Sequence, residues 1–417
     1  MMYTLAIYLY LIGAHLVAIF NKKARLLIGG HHHTFPILER QLQPGRQYAW
    51  FHAASLGEFE QGRMLMERLR EEHPEIGILL TFFSPSGYEV RKNYEGADIV
   101  CYLPFDVPFN ARKFVQMVHP CMAFFIKYEF WKNYLTELHR EGIPTYSVAS
   151  IFRPDQIFFR SYAKGYAQVL QCFTHFFVQN EVSRQLLSQV GLTNVTIVGD
   201  TRLDRVLQIR RQAQPVPLAE SFVQALPQDA SVLVAGSTWP ADEEILIPYF
   251  NQHPEQYLIL APHVVGESHL KEIESKLERP SVRLSQATPE SVAQAHCLLI
   301  DGYGLLSSIY RYGKQAYVGG GFGVGIHNVP EAAVYGVPVT VGPNNKKFRE
   351  VQELIQRGAV FEIRSSEDYE ELQQRFAEEP EFVERAGHIA AAYIAEEAGA
   401  VEKIVACLSG SAGQAKA

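Results

Sequence analysis

Ser55, Gly57 and Glu58, in the stretch WFHAASLGEFEQG at residues 50–62, are polar residues set where an apolar run gives way to a helical pattern. Chemistry at such a junction would be the handling of a hydroxyl group. Backbone N–H groups there are free to point at a ligand. A carboxylate in a first helical turn is stabilised by the helix dipole, so the plain reading of Glu58 is a cap. The functional reading is a general base that takes a proton from an attacking hydroxyl. His52, on the preceding strand, reads as structural, with the orienting of a partner as the alternative.

A second carboxylate, Glu129, follows the apolar run in FFIKYEFWKN. Lys127 lies two residues earlier, on the same side if the strand continues. The two are read as a solvated pair at a strand end, or as an anion-binding lysine beside a working carboxylate. In VAGSTWPADEE a strand runs into Gly236, Ser237 and Thr238 before a helix, a shape that suits a phosphate. No Gly-Lys-Ser/Thr follows, so this is not a Walker loop.

The strongest local signal is YVGGGFGVGIHNVPEAAVYGVP. Five glycines occur between Gly319 and Gly325, among them Gly320, Gly321 and Gly323, with Asn328 and Glu331 at the start of the next helix. So many glycines carry an entropic cost. An anionic ligand is therefore preferred here over a mere tight turn, and Glu331 is suited to accept from a ribose hydroxyl. Pro262 and His263 end another strand at the same edge, and Lys346 in GPNNKKF is placed at the rim. The HHH run at 31–33 has no accompanying carboxylates, so no metal site is assigned.

The elements that must position these residues alternate. Strand-like runs such as AWFHAA, IGILLTFFS, MAFFIKYEFW and IPTYSVAS are separated by helical segments up to about residue 204, and a similar series starts at SVLVAGS. That is the pattern of parallel sheets covered on both faces. The α/β reading is two tandem Rossmann-like doubly wound domains, residues 22–210 and 211–408, followed by a disordered tail at 409–417. Ligands in such folds bind at the carboxyl ends of strands. Two such edges across a cleft would serve two substrates.

The 417 residues suit two domains, with 47% apolar residues, 20% charged residues and a net charge of -7. That balance does not suggest nucleic-acid binding. The five cysteines form no close pairs and read as small, mostly buried side chains in a reducing compartment. Residues 1–21 differ from the rest: MMYTLAIYLYLIGAHLVAIF is followed at once by Lys22, Lys23 and Arg25. An apolar run with a basic flank after it predicts an uncleaved membrane anchor, with the main body on the cytoplasmic side. Crossing and lying in one leaflet are equally compatible with its scattered aromatics.

Taken in order, HAASLGEFEQ, TFFSPSGYE, YLPFDVPFNARKF, YEFWKN, VQNEVSRQLL, VGDTRLDRV, VAGSTW and GGGFGVGIHNVPEAAVYGVPVTVGPNNKKF resemble the 3-deoxy-D-manno-octulosonic acid (Kdo) transferases of Gram-negative bacteria. The resemblance covers nearly the whole chain. It implies the type B glycosyltransferase fold and inverting transfer of Kdo from CMP-Kdo to the tetraacyldisaccharide lipid A precursor, lipid IVA, in lipopolysaccharide biosynthesis. It implies no metal or other cofactor, and a place on the cytoplasmic face of the inner membrane among anionic lipids. The family's catalytic base, the Glu of Ala-Ser-x-Gly-Glu, matches Glu58. Ser55, Gly57, Lys127 and Glu129 fall on the acceptor side. CMP-Kdo contacts carry over to Ser237, Thr238, Pro262, His263, Gly320, Gly321, Gly323, Asn328 and Glu331. Two departures stand out: Lys127 replaces the first acid of the family's Glu-x-Glu, and the Arg of Pro-Arg-His is missing before His263, with Lys346 as a candidate substitute. The alternatives are a type B transferase using another activated sugar or acceptor, and a non-catalytic nucleotide-sugar binding protein.

Overall fold

The computed structural model describes residues 2–160, 164–228 and 230–414. The chain divides into two compact units, residues 1–205 with 399–417, and residues 206–398.

The first unit is built on seven parallel strands: β1 (Tyr48–Ala53), β2 (Gly77–Phe82), β3 (Ile99–Tyr102), β4 (Met122–Ile126), β5 (Thr145–Ser150), β6 (His175–Val178) and β7 (Val195–Ile197), in the order β3-β2-β1-β4-β5-β6-β7. Both faces of this sheet are covered. Tyr48 and Trp50 point into one apolar core while Ala49, Phe51 and Ala53 point into another. That is why the strand reads as a continuous apolar run and not as an alternating one. The second unit repeats the plan with β8 (Ser231–Thr238), β9 (Gln256–Pro262), β10 (Ser281–Arg283), β11 (Cys297–Leu299), β12 (Gln315–Val318), β13 (Val339–Val341) and β14 (Val360–Glu362), in the order β10-β11-β9-β8-β12-β13-β14. Strand order reverses beside β1 and β4 in one sheet and beside β8 and β12 in the other. A crevice forms at such a switch point, outside the carboxyl ends of the strands.

Six helices of the first unit matter below: α1 (Met2–Ala18), α2 (Lys22–Gln41), α3 (Leu56–Glu72), α4 (Pro85–Arg91), α5 (Pro108–Val118) and α6 (Lys132–Arg140). Helix α3 follows β1 directly. Ser55, extended at φ -140°, is its N-cap, and Phe59, Gly62, Leu65, Met66 and Leu69 form its buried stripe. At Gly62 a Cβ would sit 2.8 Å from Ile126 Cδ1, so the glycine lets α3 lie close on β4.

One of the two alternatives for the N-terminus is removed, and three expectations about the domains and tail are corrected. The apolar N-terminus does not form a crossing helix: among the described residues none is long and apolar enough to cross a membrane. Helix α1 has 17 residues, and at ~1.5 Å rise per residue it is shorter than the ~30 Å hydrocarbon layer. It ends because Asn21 starts a new helix, its side chain accepting from the Lys23 and Ala24 N–H groups at 2.9 and 3.1 Å. The second domain does not run to residue 408. A terminal helix, Ala400–Gln414, belongs to the first unit, where Ala400, Val401 and Ile404 enter the core. Asp204 caps it, accepting from the Gly399, Ala400 and Val401 N–H groups at 2.7, 3.0 and 3.3 Å. The same helix covers residues 409–414, expected as a disordered tail, whereas 415–417 lie outside the described residues. The unit boundary falls at 205/206 and not at 210/211.

Candidate active site

Glu58 stands in the first turn of α3, at the carboxyl end of β1. Its Oε2 accepts from the Ala54 N–H at 2.6 Å, so it does act as a cap. The same half-buried carboxyl is pushed up to about 7, first by burial and then by the negative charge of Glu129, with Lys127 and the backbone N–H groups of Ala54 and Ser55 opposing. A carboxylate with proton affinity near neutrality is suited to general-base work. Capping and proton transfer are thus compatible in one side chain. Gly57 is exposed with open space at its Cβ position, so no crowding demands it.

Glu129 is not a solvated residue. It is buried, and its Oε2 meets Trp131 Nε1 at 2.6 Å and His52 Nε2 at 3.1 Å. The strand continuation on which a same-side arrangement of Lys127 and Glu129 depends is absent: β4 ends at Ile126 and Lys127 turns left-handed, at φ +62°. Lys127 nonetheless lies near enough to bear on Glu58. Behind Glu129 the contacts continue inward. His52 Nδ1 lies 2.9 Å from Thr81 Oγ1, and Trp50 Nε1 donates to that oxygen at 2.8 Å. The sequence reading passed over Thr81 and Trp131 and took His52 as structural.

Aromatic rings lead from here toward the N-terminal helices. Trp131 lies 4.8 Å from Phe83, and His31 of α2 stacks on Phe105 at 4.0 Å and meets Phe83 at 5.3 Å. His31 is thus a buried aromatic-cluster residue, lowered to about 3 chiefly by burial. Among the described residues no group of three or more His, Cys, Asp and Glu side chains is arranged to hold a metal. The Tyr3 hydroxyl of α1 donates to buried Asp106 at 2.6 Å.

In the second unit the register pairs Thr238 with Pro262 and Val318 with Gly236. The predicted Ser237, Thr238, Pro262, His263 and glycine positions therefore meet at one sheet edge. A bulge between Gly236 and Thr238 leaves Ser237 left-handed at φ +53°. His263 stacks on Trp239 at 4.8 Å and on His327 at 4.4 Å, and Trp239 Nε1 donates to His327 Nε2 at 3.1 Å. Burial and the neighbouring His263 lower the proton affinity of His327. Thr238 is not free to meet a ligand: its buried hydroxyl donates to Glu243 Oε1 at 2.9 Å.

The glycine cluster has a partly different purpose from the one inferred. A Cβ at Gly319 would lie 2.4 Å from the Ser237 carbonyl, and one at Gly321 2.5 Å from Gly342 Cα. These glycines let neighbouring backbones touch. Several loop amides also have internal acceptors: Gly320 N–H donates to Asp242 Oδ2 at 2.9 Å, and Gly323 and Gly325 N–H groups donate to the Gly320 carbonyl at 3.1 and 2.9 Å. Asp242, which also accepts from the Trp239 N–H at 2.9 Å and the Tyr317 hydroxyl at 2.6 Å, ties the loop to β8 and β12. The sequence reading missed it, although Pro at the first helical position with an acid two residues later is a helix-start signal. Gly323 is open. Asn328 donates to Glu331 at 2.7 Å, and its Oδ1 is buried without a hydrogen-bond partner. Lys346 is exposed, in a segment tied to the loop by Asn344, whose backbone and side-chain N–H groups donate to the Gly321 and Gly323 carbonyls at 2.8 and 2.9 Å.

Cavities of about 620 and 640 Å³ lie elsewhere, at the opposite ends of the strands. They bring together none of the residues above.

Residues 30–205 match the family described as 3-Deoxy-D-manno-octulosonic-acid transferase (kdotransferase). The chain is a relative of the Kdo transferases. The 3-deoxy-D-manno-octulosonic acid transferase of Aquifex aeolicus is 26% identical over 326 residues, covering 76% of this chain and 82% of that protein. The same-named protein of Haemophilus influenzae is 24% identical over 381 residues, covering 87% and 86%. Among solved structures, UDP-GlcNAc 2-epimerase from Neisseria meningitidis bound to UDP-GlcNAc superposes with a TM-score of 0.60 at 14% identity, covering 87% of this chain and 99% of that one. That likeness shows the fold alone: two parallel-sheet α/β domains of the type B kind.

Proposed function

We propose that this Kdo transferase relative moves Kdo from CMP-Kdo to a sugar hydroxyl of the lipid A precursor, with inversion. The acceptor oxygen bonds to the anomeric carbon from the face opposite CMP. The bond from that carbon to the phosphate oxygen breaks, and its electron pair leaves with CMP. The acceptor proton goes to Glu58. The observation that carries this reading is the placement of Glu58 at the switch point of the first sheet, half-buried and raised to about 7. A base poised near the working pH combines the right protonation state with driving force.

The donor is assigned to the second unit, at the edge that holds Ser237, His263, the glycine loop, Asn328 and Glu331. Since several loop amides are occupied internally, the stacked His263 and His327 rings and Lys346 are the groups offered to CMP, and Asn328 Oδ1 is a buried acceptor left without a partner beside them. Lys346 is the proposed stand-in for the missing Arg. The acceptor is assigned to the first unit, with its acyl chains left in the membrane.

Helix α1 supports a place on the cytoplasmic face of the inner membrane. Leu5, Leu9, Ile12 and Leu16 are each about 60% exposed and fall at helical spacing on one stripe. We assign that stripe to one leaflet, with Lys22, Lys23 and Arg25 at the level of anionic headgroups. The test is the mass of the product formed by purified protein with CMP-Kdo and lipid IVA. Addition of Kdo to the lipid supports the reading. No product with this pair, alongside turnover of another activated sugar, refutes it.

A further inference from the structure

In the second unit three large apolar side chains stand exposed: Val264 at 44%, Tyr303 at 75% and Val324 at 68%. Among the described residues of that unit there are no others. Exposed apolar residues scattered singly are ordinary. These three are not scattered. Val264 follows β9, Tyr303 follows β11 and Val324 follows β12, so all lie in loops at the carboxyl ends of the strands, the edge assigned to the donor. Strand order sets their places along it: Tyr303 beside Val264, then Ser237 at the end of β8, then Val324, then residues 343–348 after β13. Neighbouring strands are about 4.8 Å apart, so the exits of β11 and β12 are separated by ~14 Å. The Tyr303 loop is anchored at its root. Ile300 N–H donates to the Leu260 carbonyl at 2.8 Å, and Asp301 accepts from the Ser285 N–H at 3.0 Å and from the Ser285 hydroxyl. Beyond that root Gly302 and Gly304 flank the tyrosine, with open space at both Cβ positions and Gly304 at φ +86°. His263 already has two ring partners, Trp239 and His327, whereas Tyr303 has none among the described residues.

We infer that the donor lies along this edge in one direction, with its cytosine on Tyr303 and Val264 and its phosphate and sugar acid toward β12 and β13. This rests on the reading of the second unit as the donor's. The two ends of the edge differ in chemistry. Residues 300–305 carry Asp301 and no lysine or arginine, so an anion there would meet a like charge. Past β13, Asn344, Lys346 and Lys347 are exposed, which suits a phosphate or a carboxylate. A nucleobase is a flat ring with a π-face, and stacking on an aromatic side chain holds it without needing charge. The aromatic end therefore takes the base and the cationic end the acidic groups. Val324, on the far side of the phosphate, is left to the sugar. Tyr303 is thus a binding residue for the donor that neither motif spacing nor the glycine loop announced.

The test is calorimetric titration of the full chain with CMP, with no acceptor present, and with ribose 5-phosphate measured by its competition against CMP. Tyr303→Ala should weaken CMP by about 10-fold, the scale of one lost base–aromatic stack, and leave ribose 5-phosphate, which has no base, unchanged. Tyr303→Phe keeps the ring and should keep the affinity. Val264→Ser should weaken CMP by a smaller factor, and Val324→Ser should leave CMP as it is. Tyr303 is largely exposed, so its replacement does not open a core. Equal loss of CMP and ribose 5-phosphate in Tyr303→Ala would mean a collapsed loop and would overturn the base contact. Weaker CMP binding in Val324→Ser, with Tyr303→Ala unchanged, would mean the donor lies the other way round and would overturn the inference too. So would CMP bound equally by the parent and all these variants. If the unmodified protein does not bind CMP, the donor assignment itself falls and takes the inference with it. If CMP binding depends on Tyr303 but no Kdo product forms, the activity reading falls and the base contact stands.

Discussion

Replacing Glu58 by Gln should move activity and stability in opposite directions. The substitution keeps an acceptor for the Ala54 N–H, so the 2.6 Å capping contact has a counterpart. It removes a carboxylate whose proton affinity is raised from 4.5 to about 7 in the folded chain. A raised carboxyl binds its proton more tightly folded than unfolded. Below pH 4.5 both states are protonated, and this group leaves folding unpenalised. As pH climbs, the unfolded chain releases the proton first, and by pH 8 the folded state carries the full penalty. Each pKa unit is worth ~1.4 kcal/mol, so the shift sets a ceiling of about 3 kcal/mol. Partial exposure reduces this to about 1–2 kcal/mol. Chemical denaturation at pH 8 should therefore find Glu58→Gln more stable than the parent by that amount, with the gap closing toward pH 4.5. Transfer of Kdo should fall at least ~100-fold, the lower scale of proton-transfer contributions. Thermal protection by CMP-Kdo should remain, since its proposed contacts are in the other unit. A variant no more stable than its parent at pH 8 would refute the raised proton affinity. Near-normal turnover would refute the base.

Four further outcomes follow from particular contacts. Leu9→Glu with Ile12→Glu, both on the exposed stripe of α1, should leave melting within ~2 °C and abolish pelleting with anionic vesicles; unchanged pelleting would refute the interfacial helix. Gly321→Ala should destabilise the second unit by roughly 2 kcal/mol or more, because its Cβ would lie 2.5 Å from Gly342 backbone, whereas Gly323→Ala meets open space and should be neutral in a melting assay. Asp242→Ala strips partners from Gly320 N–H, Trp239 N–H and the Tyr317 hydroxyl; it should lower the melting point and remove stabilisation by CMP-Kdo. Asp204→Ala should loosen the terminal helix, read as faster amide exchange over residues 399–404, since three N–H groups lose their acceptor.

Much of this fold could be read from the chain because doubly covered parallel strands appear as apolar runs, as β1, β2, β4, β5 and β8 do. Strand β10, Ser281 to Arg283, stayed hidden because it has three residues of which Val282 alone is apolar. Helix α2 stayed hidden because its buried positions include His31 and Thr34, and Pro36 lies inside it. Thr34 hydrogen-bonds the Tyr102 carbonyl at 2.8 Å, a tertiary contact that no local pattern announces. Which core the terminal helix enters is decided by Asp204, nearly two hundred residues away. At the site, the positions of Glu58 and Glu129 at strand ends were legible. Their partners were not, since the convergence of His52, Thr81 and Trp131 needs three strands in register.

The glycine loop shows how composition alone can point to the right place for an incomplete reason. Five glycines suggested amides left bare for an anion, yet Gly319 and Gly321 exist to let backbones touch, and Gly320, Gly323 and Gly325 N–H groups already have acceptors. A second feature of the edge is backbone strain, found at four non-glycine residues among the described residues, with His119 and Ala149 as the two away from it. Ser237 at the end of β8 and Lys127 after β4 are both left-handed, although neither is glycine. Each sits at the exit of a strand that flanks a switch point. A non-glycine residue in that region costs about 1 kcal/mol or more and persists only where its surroundings over-determine it. Glycine would relieve the strain at either position, but it would remove the hydroxyl of Ser237 and the cation of Lys127. Keeping a side chain at each of these strand exits is intelligible if those groups meet substrate or tune the residue that does.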